Sequence, residues 1–209
     1  RRRQGRHESP DGPLDGGRGV AVLMRYTLRL LTSQQFQRAT ALVCAAELAR
    51  REDETTWGSE PFLIGLWVGT DVSPKRFDEV DEQLRNVNEG RRHRLTVLQV
   101  QRCPWCGTRI TPGDVRADSG QRRVYVYCGD PLGDCPFAQG GSAQDGLPML
   151  TVDEEIYRLA PSFVIATVDK FARLAREGEA ASLFGYVSHR CARHGFVHRD
   201  YPACDLKDG

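Results

Sequence analysis

Four cysteines in the middle of the chain restrict its fold more than any other feature. Cys103-Pro104-Trp105-Cys106-Gly107 leaves two residues between a pair of thiols, so both sulfurs reach one ion from a tight turn, and Gly107 lets the backbone fold back. Cys128 and Cys135 follow after a 21-residue, hairpin-like stretch. Six residues separate these two, a wide gap that Gly129, Pro131 and Gly133 can turn through. Four thiolates with tetrahedral reach predict a closed structural zinc site, with no position left for a catalytic water. Free or disulfide-bonded cysteines are the competing reading, and a chain with no visible secretion signal disfavours it. Cys191, His194, His198 and Cys204 form a looser second group. Its spacings suit another zinc site of two cysteines and one or two histidines, or no metal at all. Cys44 reads as a small buried hydrophobe in a helix.

Around the cysteines run apolar stretches of another kind. Residues 20–24, 61–69 and 162–166 are continuously apolar rather than alternating, which suits strands buried on both faces of a parallel sheet. A helix is expected after each. Residues 32–51 lack Gly and Pro and can be capped by Thr32 or Ser33. Ser73-Pro74 opens the next helix, whose apolar stripe is Phe77, Val80, Leu84 and Val87. The third runs from Asp169 to about Arg176. Residues 95–100 and 124–127 read as short strands leading into the cysteines. The predicted fold class is α/β, a parallel-sheet lobe with an inserted zinc-ribbon-like module. Its expected divisions are a disordered or linker segment (1–18), the first part of the lobe (19–100), the zinc-binding insertion (101–146), the continuation of the lobe (147–188) and a Cys/His-rich segment (189–209).

A net charge of +1 gives no global attraction for a polyanion, so any basic surface must be local. Arg91-Arg92 and Arg122-Arg123 read as solvated faces, and Arg1-Arg2-Arg3 as a ragged tail. No run of about 18 apolar residues is present, so no membrane helix is expected. With no signal peptide visible, the expected compartment is the cytoplasm. The abrupt start and finish suggest a piece of a longer polypeptide.

Two strand-to-helix junctions are the candidate functional rim. One is Met24-Arg25-Tyr26-Thr27-Leu28-Arg29, continuing to Gln35; the other is Ile165-Ala166-Thr167-Val168-Asp169-Lys170-Phe171. In open α/β sheets ligands sit at the carboxyl ends of strands, and a helix N-terminus there offers N–H groups to a phosphate. The plainer reading is that Thr27, Thr32 and Thr167 only cap helices. Residues 24–37, together with Asp153-Glu154-Glu155-Ile156-Tyr157-Arg158 and the second junction, resemble superfamily 2 helicases, in particular the helicase of the DISARM anti-phage defence system (DrmA-type).

That resemblance implies a RecA-like, P-loop NTPase lobe in which the junctions are motifs Ia and Ib. It implies nucleic-acid backbone contacts at Thr27, Arg29, Thr167 and Lys170, with DNA or RNA and defence-system subunits as partners. ATP and magnesium would belong to the complete parent protein. The chain contains no Gly-x4-Gly-Lys-Ser/Thr loop, and Asp153-Glu154-Glu155 precedes the second motif instead of following an apolar strand as a magnesium-holding acidic box would. The expectation is therefore a fragment of a first motor lobe with no catalytic residues, inactive towards ATP alone. The alternatives are a non-enzymatic zinc-ribbon module binding nucleic acid or protein, and a scaffold whose zinc compensates for a small core.

Overall fold

All three long apolar runs become strands of one parallel sheet. The computed structural model describes residues 8–9, 12–13, 19–27, 29–69, 71–91, 94–173 and 177–204. In chain order the elements are β1 (Glu8–Ser9), β2 (Gly12–Pro13), β3 (Val22–Tyr26), α1 (Arg29–Glu52), α2 (Glu54–Trp57), β4 (Ile64–Trp67), α3 (Phe77–Asn88), β5 (Val115–Asp118), β6 (Arg123–Val126), β7 (Met149–Leu150), α4 (Asp153–Leu159), β8 (Phe163–Thr167), α5 (Val168–Arg173), β9 (His189–Cys191) and β10 (Gly195–Val197). The main sheet has the order β3-β8-β4-β7. Every pairing in it is parallel, with Val22 opposite Phe163, Tyr26 opposite Thr167, and Ile64 opposite both Phe163 and Met149.

The two central strands bear out the sequence pattern. β4 is buried along its whole length, as is β8 from Val164 onward. β3 differs from expectation. It starts at Val22, lies at the sheet's edge, and leaves Val22 and Met24 41% and 38% exposed. Among the described residues no strand covers its outer side.

Helix α1 buries Phe36, Thr40, Cys44 and Glu47, spaced by four, four and three residues along one face. The buried Glu47 carboxylate accepts hydrogen bonds from Arg50 at 2.7 and 2.8 Å and from the Phe62 backbone N–H at 2.8 Å. Those bonds tie the helix to the entry of β4 and satisfy a charge that would otherwise be costly to bury.

Several local expectations are corrected. α1 begins before Thr32, which lies buried inside it. α3 begins at Phe77, not at Ser73-Pro74, and the Ser73 hydroxyl donates to the Val68 carbonyl. Of the expected stripe, Phe77, Val80 and Leu84 are buried and Val87 is half-buried. Residues 95–100 form no strand. Gln83 holds the Thr96 backbone in a turn while Leu95, Val97 and Val100 still bury their side chains. The linker expected over residues 1–18 lies outside the described residues apart from the short antiparallel pair β1–β2, as do Arg92 and residues 174–176.

The cysteine-rich segment interrupts the strand order without standing apart from the sheet. One core cluster runs from Phe36 and Cys44 of α1, through Ile64 and Leu66 of β4, to Ile110, Val124, Val126 and Phe137. On the other side, α4 packs Ile156 and Tyr157 against Trp67, Leu150, Val164 and Ala166.

Gly65 in β4 permits that approach. A Cβ there would lie 2.9 Å from Pro161 Cγ and 3.3 Å from Ile156 Cγ1. Gly65→Val should therefore overpack the contact and destabilise the protein by about 1–3 kcal/mol. A chemical-denaturation midpoint that does not fall would contradict this packing.

Candidate metal centre and sheet rim

Two turns bring the four cysteines together. In the first, the Cys103 N–H donates to Thr108 O at 2.7 Å and the Gly107 N–H to Cys103 O at 2.9 Å. Gly107 has φ +81°, which a side chain would disfavour. In the second, the Cys128 N–H donates to Phe137 O and the Ala138 N–H to Cys135 O, while Asp130 accepts the Cys135 N–H at 2.9 Å. Gly129 lets the two turns meet, because a Cβ on it would lie 2.3 Å from Arg109 O. Phe137 is fully buried and its ring meets the Trp105 ring edge-on.

The sulfur geometry fits a metal better than a disulfide. Cys103 Sγ lies 3.9 Å from Cys135 Sγ, and Cys106 Sγ lies 3.4 Å from Cys128 Sγ. All four sulfurs lie within 4.8 Å of one another. A tetrahedral zinc with Zn–S near 2.3 Å would hold its sulfurs about 3.8 Å apart, whereas a disulfide needs about 2.05 Å. Burial opposes ionisation of Cys106, but hydrogen bonding with Thr108 outweighs it and brings this thiol down to about 7. Burial, reinforced by the nearby Cys103 and Cys135, pushes the Cys44 thiol well up. Cys44 is thus a buried protonated neighbour of the cluster, with α1 forming part of its wall.

In the second group, Cys191, His194 and Cys204 place their ligand atoms within 4.8 Å of one another. His198 is not among them. Its Nδ1 accepts the Asp200 N–H at 3.2 Å, and Asp200 Oδ2 lies 3.5 Å away.

At the rim, β3 and β8 are neighbours and both end on the same side, with Thr27 one residue beyond the Tyr26–Thr167 pair. Thr27 is exposed. Arg29 opens α1, but its side chain lies outside the described residues. Thr167 is 2% exposed, and its hydroxyl has no hydrogen-bond partner among the described residues. Lys170 is 1% exposed, pairs with Asp153 and places its ammonium 5.8 Å from the Trp67 ring centroid. This corrects the expectation for Lys170: an ammonium enclosed by a carboxylate and an indole does not reach a phosphate outside. Beside the rim, α1 and the first cysteine turn line an open groove with Gln34, Gln37, Arg38 and Arg102.

The three carboxylates Asp153-Glu154-Glu155, which open α4, are all buried. Asp153 takes Lys170; burial pushes its carboxyl up to about 7 against the pull of that ammonium. Glu154 accepts from Arg122 at 2.7 and 3.0 Å, from the Tyr201 hydroxyl at 2.7 Å and from the Phe77 N–H at 3.1 Å. Burial would raise the Glu154 carboxyl, but these donors outweigh it and hold it below the usual range. Glu155 accepts from Arg123 at 2.9 Å and from the Val124 N–H, and burial still raises it. The Arg122-Arg123 pair is therefore an internal anchor and not a solvated face. Nothing in the local pattern signalled this, because the spacing between residues 122 and 154 carries no periodicity.

No family model matches the chain. DISARM protein DrmA of Bacillus paralicheniformis is 34% identical to it over an alignment 188 residues long that covers 86% of this chain and 16% of that protein. Along that length the chain is of the DISARM DrmA type, and it spans about a sixth of the length of the curated relative it matches.

Proposed function

We propose that the chain is part of the first motor lobe of an ATP-dependent nucleic-acid helicase or translocase in an anti-phage defence system. In this reading the β3–α1 junction contacts the nucleic-acid backbone, and Cys103, Cys106, Cys128 and Cys135 hold one structural zinc. The observation that carries it is the 34% identity to DISARM protein DrmA over 86% of this chain. Support comes from β3 and β8 ending side by side on one rim, where α1 begins with Arg29 and directs its positive dipole end towards a phosphate. Thr27 and Arg29 supply the backbone contact, while the buried Thr167 and Lys170 brace the rim from within. A strand leaving the rim would continue along the groove of Gln34, Arg38 and Arg102. ATP, magnesium and other defence-system subunits would be engaged by the complete protein. No helix among the described residues is long and apolar enough to cross a membrane.

The core shared between the cysteine segment and the sheet counts against a self-standing zinc ribbon. The test is fluorescence anisotropy of the complete protein with labelled single strands across a salt series. Arg29→Ala should weaken binding similarly for all sequences and flatten the log–log salt slope by about one ion, since a phosphate contact is blind to sequence. Unchanged affinity and slope would remove the rim from the binding surface and favour the non-enzymatic zinc module.

A further inference from the structure

The C-terminal hairpin repeats the chemistry of the first cluster with a different ligand set. β9 and β10 pair antiparallel, with His189 opposite Val197 and Cys191 opposite Gly195. Alternation along a strand puts His189 and Cys191 on one face, together with Val197. His198, one residue further on, belongs to the other face, in keeping with its contacts to Asp200. The chain then turns back, so that Cys191, His194 and Cys204 converge, two of the three being buried.

Two pairs lie at metal-site distances, with His189 adjoining Cys204 from outside the mutual 4.8 Å of Cys191, His194 and Cys204. Cys191 Sγ lies 3.7 Å from His194 Nδ1, and Cys204 Sγ lies 4.0 Å from His189 Nε2. A sulfur and a nitrogen bound tetrahedrally at about 2.3 and 2.1 Å would be about 3.6 Å apart. We propose that Cys191, His194, Cys204 and His189 bind a second structural zinc, with His189 in the place that spacing alone had offered to His198. Two thiolates and two imidazoles complete a closed site, so its role is to hold structure and not to activate water.

What it holds follows from the contacts on its far side. Arg158 of α4 donates to the His194 carbonyl at 2.7 Å, with its guanidinium 5.5 Å from the Tyr201 ring centroid. Tyr201 in turn donates to Glu154. At Gly195, a Cβ would lie 2.6 Å from Arg158 O, so the hairpin sits directly against the end of α4. Among the described residues, a core of Cys191, Val197 and Tyr201, with Ala203 and Cys204 partly buried against it, is too small to fix such a hairpin without a cross-link. The zinc supplies that cross-link and clasps the hairpin to the helix that carries the buried carboxylates.

Zinc per chain, measured by mass spectrometry on purified protein, tests this. The wild type should hold two, and Cys204→Ser and His189→Ala should each hold one, while His198→Ala keeps two. One zinc in the wild type with no loss on Cys204→Ser would overturn the site; loss with His198→Ala but not with His189→Ala would overturn its ligand set. Because a ligand deletion can unfold the hairpin, His189→Cys in cobalt-substituted protein gives an independent reading. If His189 is a ligand, the metal stays bound and the sulfur-to-cobalt charge-transfer absorption grows by one thiolate. An unchanged spectrum would exclude His189.

Discussion

Lys170→Ala is expected to cost the protein about 3–5 kcal/mol, a large part of the roughly 5–15 kcal/mol that holds a domain folded. The side chain is 1% exposed and its partner Asp153 is fully buried, so the substitution leaves a carboxylate without its counter-charge and far from water. An exposed rim lysine would instead contribute less than about 1 kcal/mol. The effect should depend on pH in a defined direction. Burial raises the Asp153 carboxyl from its ordinary value to about 7, so the folded state is penalised when this group ionises. A carboxyl raised on folding contributes fully below its unfolded pKa, near 4, and its contribution is lost as pH rises through the folded value. Without Lys170 the folded value rises further. The deficit of the variant should therefore be small near pH 4 and widen through pH 7. Replacing both partners, as in Asp153→Leu with Lys170→Met, should recover much of the loss, because a buried ion pair often exchanges for apolar groups at little cost. Denaturation curves of the three variants across pH decide it; a Lys170→Ala loss under 1 kcal/mol at pH 8 would return that lysine to the surface.

Removing the proposed zinc from the first cluster should have a still larger effect. Apparent binding free energies of structural zinc are about 10–16 kcal/mol at neutral pH, and in a small module that energy is folding energy. In a self-contained module, Cys103→Ser would melt the module and spare the sheet. The core argues otherwise: Cys103, Cys128 and Cys135 belong to the same buried cluster as Phe36, Cys44, Ile64 and Leu66. Cys103→Ser, or a strong chelator, should therefore lower the melting transition of the whole protein, with loss of α1 helicity as well as of zinc. A chelated protein that keeps its full circular dichroism and its melting temperature would refute the structural role.

The contrast between these two predictions reflects what a sequence can carry. Residues 162–166 declared a central strand because an unbroken apolar run has few other uses, and β8 is that strand. The cysteine cluster was legible because Cys-x2-Cys encodes its own geometry. Val22 and Met24 misled, since an apolar residue reads alike on a central strand and on a bare edge. Lys170 misled for a related reason: a lysine one turn past a strand looks solvent-facing unless the distant Asp153 is known to turn towards it. Glu154-Glu155 and Arg122-Arg123 answer each other over some thirty residues, and no local period records that pairing. His189 and His198 were separated only by hairpin register, which fixes the face on which each side chain falls.

The edge position of β3 bears on how this molecule behaves in solution. Among the described residues, its outer side presents a row of unpaired backbone groups flanked by exposed Val22 and Met24, a surface suited to adding another strand. With a net charge of only +1, long-range repulsion between copies is weak. Handled by itself, this polypeptide should grow less soluble with concentration through edge-to-edge association. Lysine in place of Val22 or Met24 would guard that edge without touching the buried strands.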